Sequence, residues 1–395
     1  MSRALVRFVL ACAVIGGPSC GGSEKPVKPV KTQKQKQKDA RALLGQARDD
    51  AQHGQTDSAD QAYADAFAIT KDFEILEERV DFLIHAGRPT NAQEAAKDYY
   101  DANATDAKGY KLYAEALLAG NKGAEALEVA DQMIALNGED ASGYEKRGRA
   151  LLLLEKTEEG VEALRKALQL DDTSSAYHLT LGVALHKQGK TDEAALKFLA
   201  ALKRSPDDAL AHVYLGMARR GQGELDEAKQ YLEKALELDP DNGRAYFELG
   251  LLYNQQQKQG DAEAALSKAV QKSPNESLFW YALGEIYRLQ GRFGDAISAY
   301  KKANDIDPPY PKASGKLGLL YVEAKKYDEA EALLIPAIRR DPKNHVNYLY
   351  LGVVYAAKGE KKSAIETYQK FLQLAPKNDP DVRRAKDAIS ELKRR

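Results

Sequence analysis

Three stretches of this sequence carry residue types that could do chemistry. Ala184-Leu185-His186-Lys187-Gln188-Gly189-Lys190-Thr191 ends like a phosphate-binding loop, in which backbone N–H groups and a lysine would cradle a polyphosphate. Ser298-Ala299-Tyr300-Lys301 has the spacing of a serine nucleophile with a lysine one helical turn on. Six histidines (His53, His85, His178, His186, His212 and His345) are potential metal ligands or proton carriers. Only two cysteines are present, Cys12 and Cys20.

The wider pattern removes most of these readings. A phosphate loop needs a buried strand ahead of it and a glycine-rich backbone. Here Gly189 recurs as Gly223, and Asp192-Glu193-Ala194 recurs as Asp226-Glu227-Ala228, so the stretch reads as a turn between helices. The serine motif lacks its companion Ser-Asp-Asn and Lys-Thr-Gly stretches, and Tyr300 holds a packing position. No histidine pair has ligand spacing with partners. His178 and His212 occupy the same position in successive copies of a repeat, with Trp280 two repeats beyond His212, so packing is their expected role. No catalytic residue, cofactor site or metal site is expected, and the chain is expected not to be an enzyme.

The elements behind these residues are repeats. From Ser175 to Asn378 a 34-residue pattern is laid down six times in phase. Leu-Gly pairs stand at Leu181-Gly182, Leu215-Gly216, Leu249-Gly250, Leu283-Gly284, Leu317-Gly318 and Leu351-Gly352. Ala194, Ala228, Ala262, Ala296, Ala330 and Ala364 follow them at one interval, and Pro206, Pro240, Pro274, Pro308, Pro342 and Pro376 at another. Each unit contains two amphipathic helical stripes; its Gly and Ala let two backbones approach, and its Pro ends the second helix. A fixed period of this size is the mark of stacked repeats. Counting backwards, weaker copies begin at Asp39, Phe73, Ala107 and Ala141; the copy at 141–174 has Gly160 and Asp172 where Ala and Pro recur elsewhere.

The copy from Ser277 to Tyr310, with Trp280, Leu283, Gly284, Tyr287, Ala296, Tyr300, Ala303 and Pro308, resembles the tetratricopeptide repeat (TPR) family. The resemblance implies an all-α fold: a right-handed superhelix of nine to ten helix-turn-helix repeats. Residues 39–174 would be degenerate repeats, 175–378 six regular ones, and 379–395 a C-terminal helix capping the last apolar edge. In that final helix Asp379 is a plausible N-cap, and Val382, Ala385, Ile389 and Leu392 make the apolar face.

The family lines a concave groove with its first helices, and the resemblance places partner contacts at repeat positions 2, 5, 9, 12 and 13. Carried onto this chain, the expected partner-binding residues are Leu179, Val183, Val213, Met217, Arg220, Phe247, Leu251, Asn254, Tyr281 and Arg288. No repeat has the Lys and Asn pair of the family's carboxylate-clamping groove. Two readings of this stripe compete: tight coiling buries positions 5 and 9 between neighbouring helices, or the stripe docks a helix or strand of a protein or peptide partner, with Phe247 and Tyr281 as anchors.

Residues 1–20 read as an export signal, with Arg3 and Arg7, a short apolar run from Phe8 to Gly16 and small residues before Cys20. Cys20 with Gly21 behind it resembles a bacterial lipoprotein cleavage site, at which the Cys thiol is acylated. Val9-Leu10-Ala11-Cys12 is a second lipobox-like stretch, and ordinary secretion or cytoplasmic retention are the other readings. Residues 21–38, with six Lys and two Pro, are expected to be a disordered tether, either a plain spacer or a binder of anionic lipid or envelope polymer. Charged residues make up 30% of the chain yet leave a formal net charge of -1, which gives no support to nucleic-acid binding. The resulting expectation is a lipid-anchored scaffold in the bacterial cell envelope, on the outer membrane facing the periplasm. Its layout is similar to that of assembly factors for pili, secretion or gliding motility. An accessory envelope enzyme, a cell-wall-associated factor and a purely structural spacer are the alternatives.

Overall fold

The computed structural model describes residues 32–307 and 309–394, so residues 1–20, expected to be an export signal, lie outside it with Cys12 and Cys20. Among the described residues every element is helical, and twenty helices follow one another as ten pairs with a final single helix. Two compact units, Met1–Ala95 and Ala96–Arg395, divide the chain.

In the first unit lie α1 (Gln33–Gln52), α2 (Thr56–Thr70), α3 (Phe73–His85) and the start of α4 (Pro89–Ala102). Helix α1 corrects one expectation, because residues 33–38 are helical and not part of a disordered tether. Gln and Lys are good helix formers, no Pro or Gly stands between Val30 and Leu44, and Thr32 caps the first turn by accepting from the Gln35 N–H at 3.3 Å. Ala47, Ala62, Tyr63, Ala66 and Ile75 form the unit's core. Beside it Glu78 takes both Arg48 nitrogens at 2.7 and 2.8 Å and the Tyr63 hydroxyl at 2.9 Å.

The second unit continues with α5 (Ala107–Ala119), α6 (Gly123–Leu136), α7 (Ala141–Leu153), α8 (Thr157–Leu170), α9 (Ser175–Lys187) and α10 (Thr191–Arg204). Then come α11 (Ala209–Gln222), α12 (Leu225–Leu238), α13 (Gly243–Gln255), α14 (Gln259–Lys272), α15 (Ser277–Leu289) and α16 (Phe293–Asp305). The array closes with α17 (Ala313–Glu323), α18 (Tyr327–Arg340), α19 (His345–Lys358), α20 (Lys361–Leu374) and α21 (Asp381–Arg394).

The repeated residues build each pair in the same way. Where the Leu-Gly glycine stands, the side chain sixteen residues on fills the space a Cβ would need. A Cβ on Gly182 would sit 2.4 Å from the Phe198 ring, and one on Gly284 2.8 Å from Tyr300. Those large side chains are fully buried in consequence. Second helices end before the recurring Pro: Ser205, Asp239, Ser273 and Asp341 leave helical backbone angles, as a residue preceding Pro must. First helices up to α13 begin on side-chain caps, with Asp208 accepting from Ala211 N–H at 3.0 Å and Asn242 from Ala245 N–H at 2.9 Å, whereas α15, α17 and α19 have none. Helices α8, α10, α12 and α18 lack such caps and instead carry acids in the first turn, among them Glu158, Asp192, Asp226 and Asp328, which suits the positive end of the helix dipole.

Two joints depart from the pattern. Between α16 and α17 the chain runs through Pro309-Tyr310-Pro311, and α17 has only 11 residues. At the end of the array α21 lays Ala385, Val382, Ile389 and Leu392 onto the cluster built by α18 to α20.

Candidate functional site

The first helices of the second unit pack on one another: α5 on α7, α7 on α9, α9 on α11, α11 on α13, α13 on α15 and α17 on α19. Second helices make no comparable contact with the next second helix. A stack whose one row is closer-spaced than the other curves toward the closer row, so the first helices form the inner face.

On that face the sequence-expected residues divide. Leu179, Val183, Leu251 and Tyr281 are half-buried, as are Arg220, Asn254 and Arg288, and these remain reachable. Val213 and Met217 are buried, and Phe247 is only 3% exposed, its ring stacked on Phe279 at 4.5 Å between centroids. The three are core residues, which corrects their assignment as partner contacts; close approach of α11, α13 and α15 seals them between neighbouring helices. Tyr281 is held rather than free, its ring 4.4 Å from Tyr310 and 5.5 Å from Tyr300. Cys20 lies outside the described residues.

What the sequence reading missed is a row of charged nodes along the same face. In the first, Glu115 of α5 binds Arg149 of α7 through two contacts of 2.9 Å and also pairs with Lys146; Glu145 stands 3.0 Å from Lys146. Burial alone would raise the Glu115 carboxyl, but Lys146 and Arg149 outweigh it and hold it at about 2. In the second, Glu248 of α13, buried to 1% exposure, is gripped by Arg220 of α11 at 3.0 Å and Arg244 at 3.2 Å. In the third, Glu285 of α15 accepts from the buried Tyr300 hydroxyl, lies 2.9 Å from Arg288 and 3.5 Å from Lys316 of α17. Burial by itself would raise Glu285; the Tyr300 hydroxyl and the two cations reverse this and lower it. Burial, and then the neighbouring carboxylate, pushes the Tyr300 phenol up.

The charged members of these nodes come from repeat positions 2, 5, 6, 9 and 12. Position 6 holds Thr180, Tyr214, Glu248, Ala282, Lys316 and Tyr350 in successive copies, so no single copy betrays it. Only the superposed repeats expose two charged residues on a face that should be apolar.

The residues with apparent chemistry fall into structural duties. Gly189 has a φ of +77° in the α9–α10 turn. Ser298 donates to the Gly294 carbonyl at 3.0 Å along its own helix. The His178 Nε2 lies 3.1 Å from the Asp172 carbonyl, His212 Nε2 2.8 Å from that of Pro206, and the Trp280 indole N–H donates at 2.8 Å to Pro274, each tying a first helix to the carbonyl six residues earlier. A carbonyl can only accept, so in the neutral ring Nε2 carries the proton. Burial lowers the pKa of His178, and also that of His186, where Arg220 and Arg244 add to the effect against the opposing pull of Glu248.

The fold is that of an α-helical repeat scaffold with its first helices in one row. The chain belongs to the tetratricopeptide repeat family. The sequence pattern described as Tetratricopeptide repeat matches residues 112–175, 145–209, 179–241 and 214–277, and that of the Cytochrome c-type biogenesis protein H TPR domain matches 255–382. Among solved structures, yeast Tom70 superposes with a TM-score of 0.54 at 16% identity, over 91% of this chain and 96% of its own. The human IFIT1 dimer with PPP-AAAA does so with 0.53 at 17% identity, over 87% and 95%. At these identities the likeness speaks to the fold. No curated protein sequence matches the chain.

Proposed function

We propose that the protein is a non-enzymatic scaffold, tethered to the bacterial cell envelope through an acylated Cys20, that gathers protein or peptide partners on its inner face. The observation that carries this reading is the inner row itself. Half-buried Leu179, Val183, Leu251 and Tyr281 alternate with charged nodes, a mixture of apolar contact and fixed polarity suited to another polypeptide. Membership of a family of stacked helical repeats supports it, since stacking produces extended binding surfaces. The arginines and lysines at the face are largely paired within the protein, which weighs against the phosphate ladder that nucleic acid demands. The lipobox-like stretch ending at Cys20 supports an outer-membrane site facing the periplasm, and assembly of a multiprotein envelope machine is the role such a layout serves.

A photo-crosslinking amino acid placed in the native host tests the reading. At Leu179 or Leu251 it should give a discrete crosslinked partner; at Leu196, 66% exposed on α10, it should not. Equal products from both faces would overturn the inner-face assignment, and none at either would favour a structural spacer. In the same cells Cys20→Ser should move the protein from the membrane to the soluble fraction; retention in the membrane would remove the anchor from the proposal.

A further inference from the structure

Two of the three charged nodes are not neutral. Glu115 and Glu145 balance Lys146 and Arg149 one for one. Glu248 faces two cations, Arg220 and Arg244, and Glu285 faces Arg288 and Lys316, so each of these nodes keeps one positive charge in excess. The whole chain carries a formal charge of -1. Positive charge is thus concentrated on the inner face from α11 to α17 while the molecule as a whole offers none. One donor there is also unspent: the Arg288 Nε is buried and has no hydrogen-bond partner.

From this we infer that the α11–α17 face takes an extended acidic peptide segment of a partner protein, with one carboxylate side chain at each of the two nodes and aliphatic residues between them. The inference rests on the scaffold reading and names its partner's chemistry. The two glutamates, Glu248 buried and Glu285 half-buried, are what make the seats specific. Each fixes two cations that would otherwise swing freely, so a visiting carboxylate meets donors already in place. Arg244, with 44% of its side chain exposed, and Lys316, with 28%, are the members a ligand reaches. Between the nodes the exposed floor is apolar, with Leu251 and Leu278 half-buried.

The geometry sets a spacing. Neighbouring helices lie about 8–10 Å apart where they pack; α13 packs on α15, and α15 reaches α17 through the Glu285–Lys316 pair, so Arg244 on α13 and Lys316 on α17 stand two steps apart. That is about 18 Å, which an extended chain rising about 3.3 Å per residue covers in about five to six residues. A nucleic acid is the less favoured anion. The inner aromatic rings of Phe247 and Phe279 stack on each other in the core and are not offered to bases, and two excess charges are few for a phosphate backbone.

The test is fluorescence anisotropy on the full-length protein with labelled peptides carrying two glutamates about six residues apart in a Leu/Val background. The glutamine version of the peptide should bind at least about tenfold more weakly, and the double variant Arg244→Gln/Lys316→Gln should erase that difference. Thermal melts of the variant, with Arg244→Gln alone as a milder second, show that the fold is kept. Equal affinity for the glutamine peptide would overturn the acidic assignment while leaving a peptide-binding face intact. Undiminished binding by a folded double variant would overturn the two seats. An oligoadenylate that outcompetes the peptide at the same residues would replace peptide by nucleic acid. Absence of binding by every peptide would overturn this inference, and the crosslinks at Leu179 and Leu251 would still decide the scaffold reading independently.

Discussion

At the scale of single residues, the inner face is set by carboxylates each held by two cations. Glu115 is the sharpest case, because two cations hold its carboxyl at about 2 although burial pushes the other way. A carboxylate whose folded pKa lies below its unfolded one stabilises the fold fully above the unfolded value, near 4.5, and loses that contribution as pH falls toward 2. Acid titration of the melting temperature should therefore show a loss between about pH 4.5 and 2 that Glu115→Gln removes, while the variant melts lower than wild type at neutral pH. An unchanged acid limb in Glu115→Gln would assign the loss elsewhere. Single residues were also where the sequence was least legible. Phe247 looks like an anchor because aromatics dominate binding sites, yet the same type fills cores, and only the neighbouring α15 with Phe279 decides which applies. Charged residues at position 6 gave no signal in any one repeat, since the partners that tie them across helices, Arg220 for Glu248 and Glu285 for Lys316, stand 28 or 31 residues away in sequence.

At the scale of elements, each turn between the helices of a repeat passes through one residue with positive φ. Glycine fills it at Gly54, Gly87, Gly189, Gly223, Gly291 and Gly359, while Asn121, Glu155, Gln257 and Lys325 fill the equivalent place with side chains attached. An L-residue in this region costs roughly 1–2 kcal/mol more than glycine, offset in part by the extra freedom glycine has when unfolded. Gln257→Gly, at φ 62°, should then raise stability by up to about 1 kcal/mol in denaturant melts; a lower midpoint would show that its side chain makes a contact of greater worth. This scale was the most legible from sequence. The glycine and proline punctuation and the apolar stripes state where helices begin, end and touch, because each acts through backbone geometry within one repeat. The decoy phosphate loop was resolved by the same logic, through recurrence of its glycine. The N-terminal element was not: Gln and Lys alternation in 33–38 lacks an apolar stripe, and helix formation there depends on propensity and the Thr32 cap, which pattern reading discounts.

At the scale of the whole molecule, the repeats make contacts with near neighbours in the chain, so stability is distributed along the array and not lodged in one centre. Polar pairs across the turns reinforce three of the junctions: Gln222 donates to Asp192 at 2.7 Å, Gln290 to Glu263 at 2.9 Å and Lys358 to Asp328 at 3.0 Å. The last repeat depends on α21, which lays Val382, Ile389 and Leu392 over the cluster holding Leu349, Tyr350 and Phe371. Deleting residues 379–395 should therefore raise amide exchange in α19 and α20 by at least about tenfold while leaving α9 to α14 as protected as before. Uniform loss of protection along the array would mean a single cooperative unit and would contradict the neighbour-only picture. The repeat architecture was plain in the sequence because periodicity is a property of the entire chain; what the face binds was not, since that depends on which residues of separate repeats come to lie together.

The joint at Pro309–Pro311 bears on how such a chain avoids folding incorrectly. Hairpins this alike could dock out of order, one skipping its rightful neighbour to settle on a near-duplicate. Gly315 makes that mistake detectable, since its bare Cα admits Val346 and Tyr350 so closely that a Cβ would fall 2.8 and 3.0 Å from them. The matching places in earlier copies hold Leu179, Val213, Phe247 and Tyr281, none of which could yield that room. Helix α19 thus has a single berth in the series, and one irregular seam supplies the serial order that repetition by itself would erase.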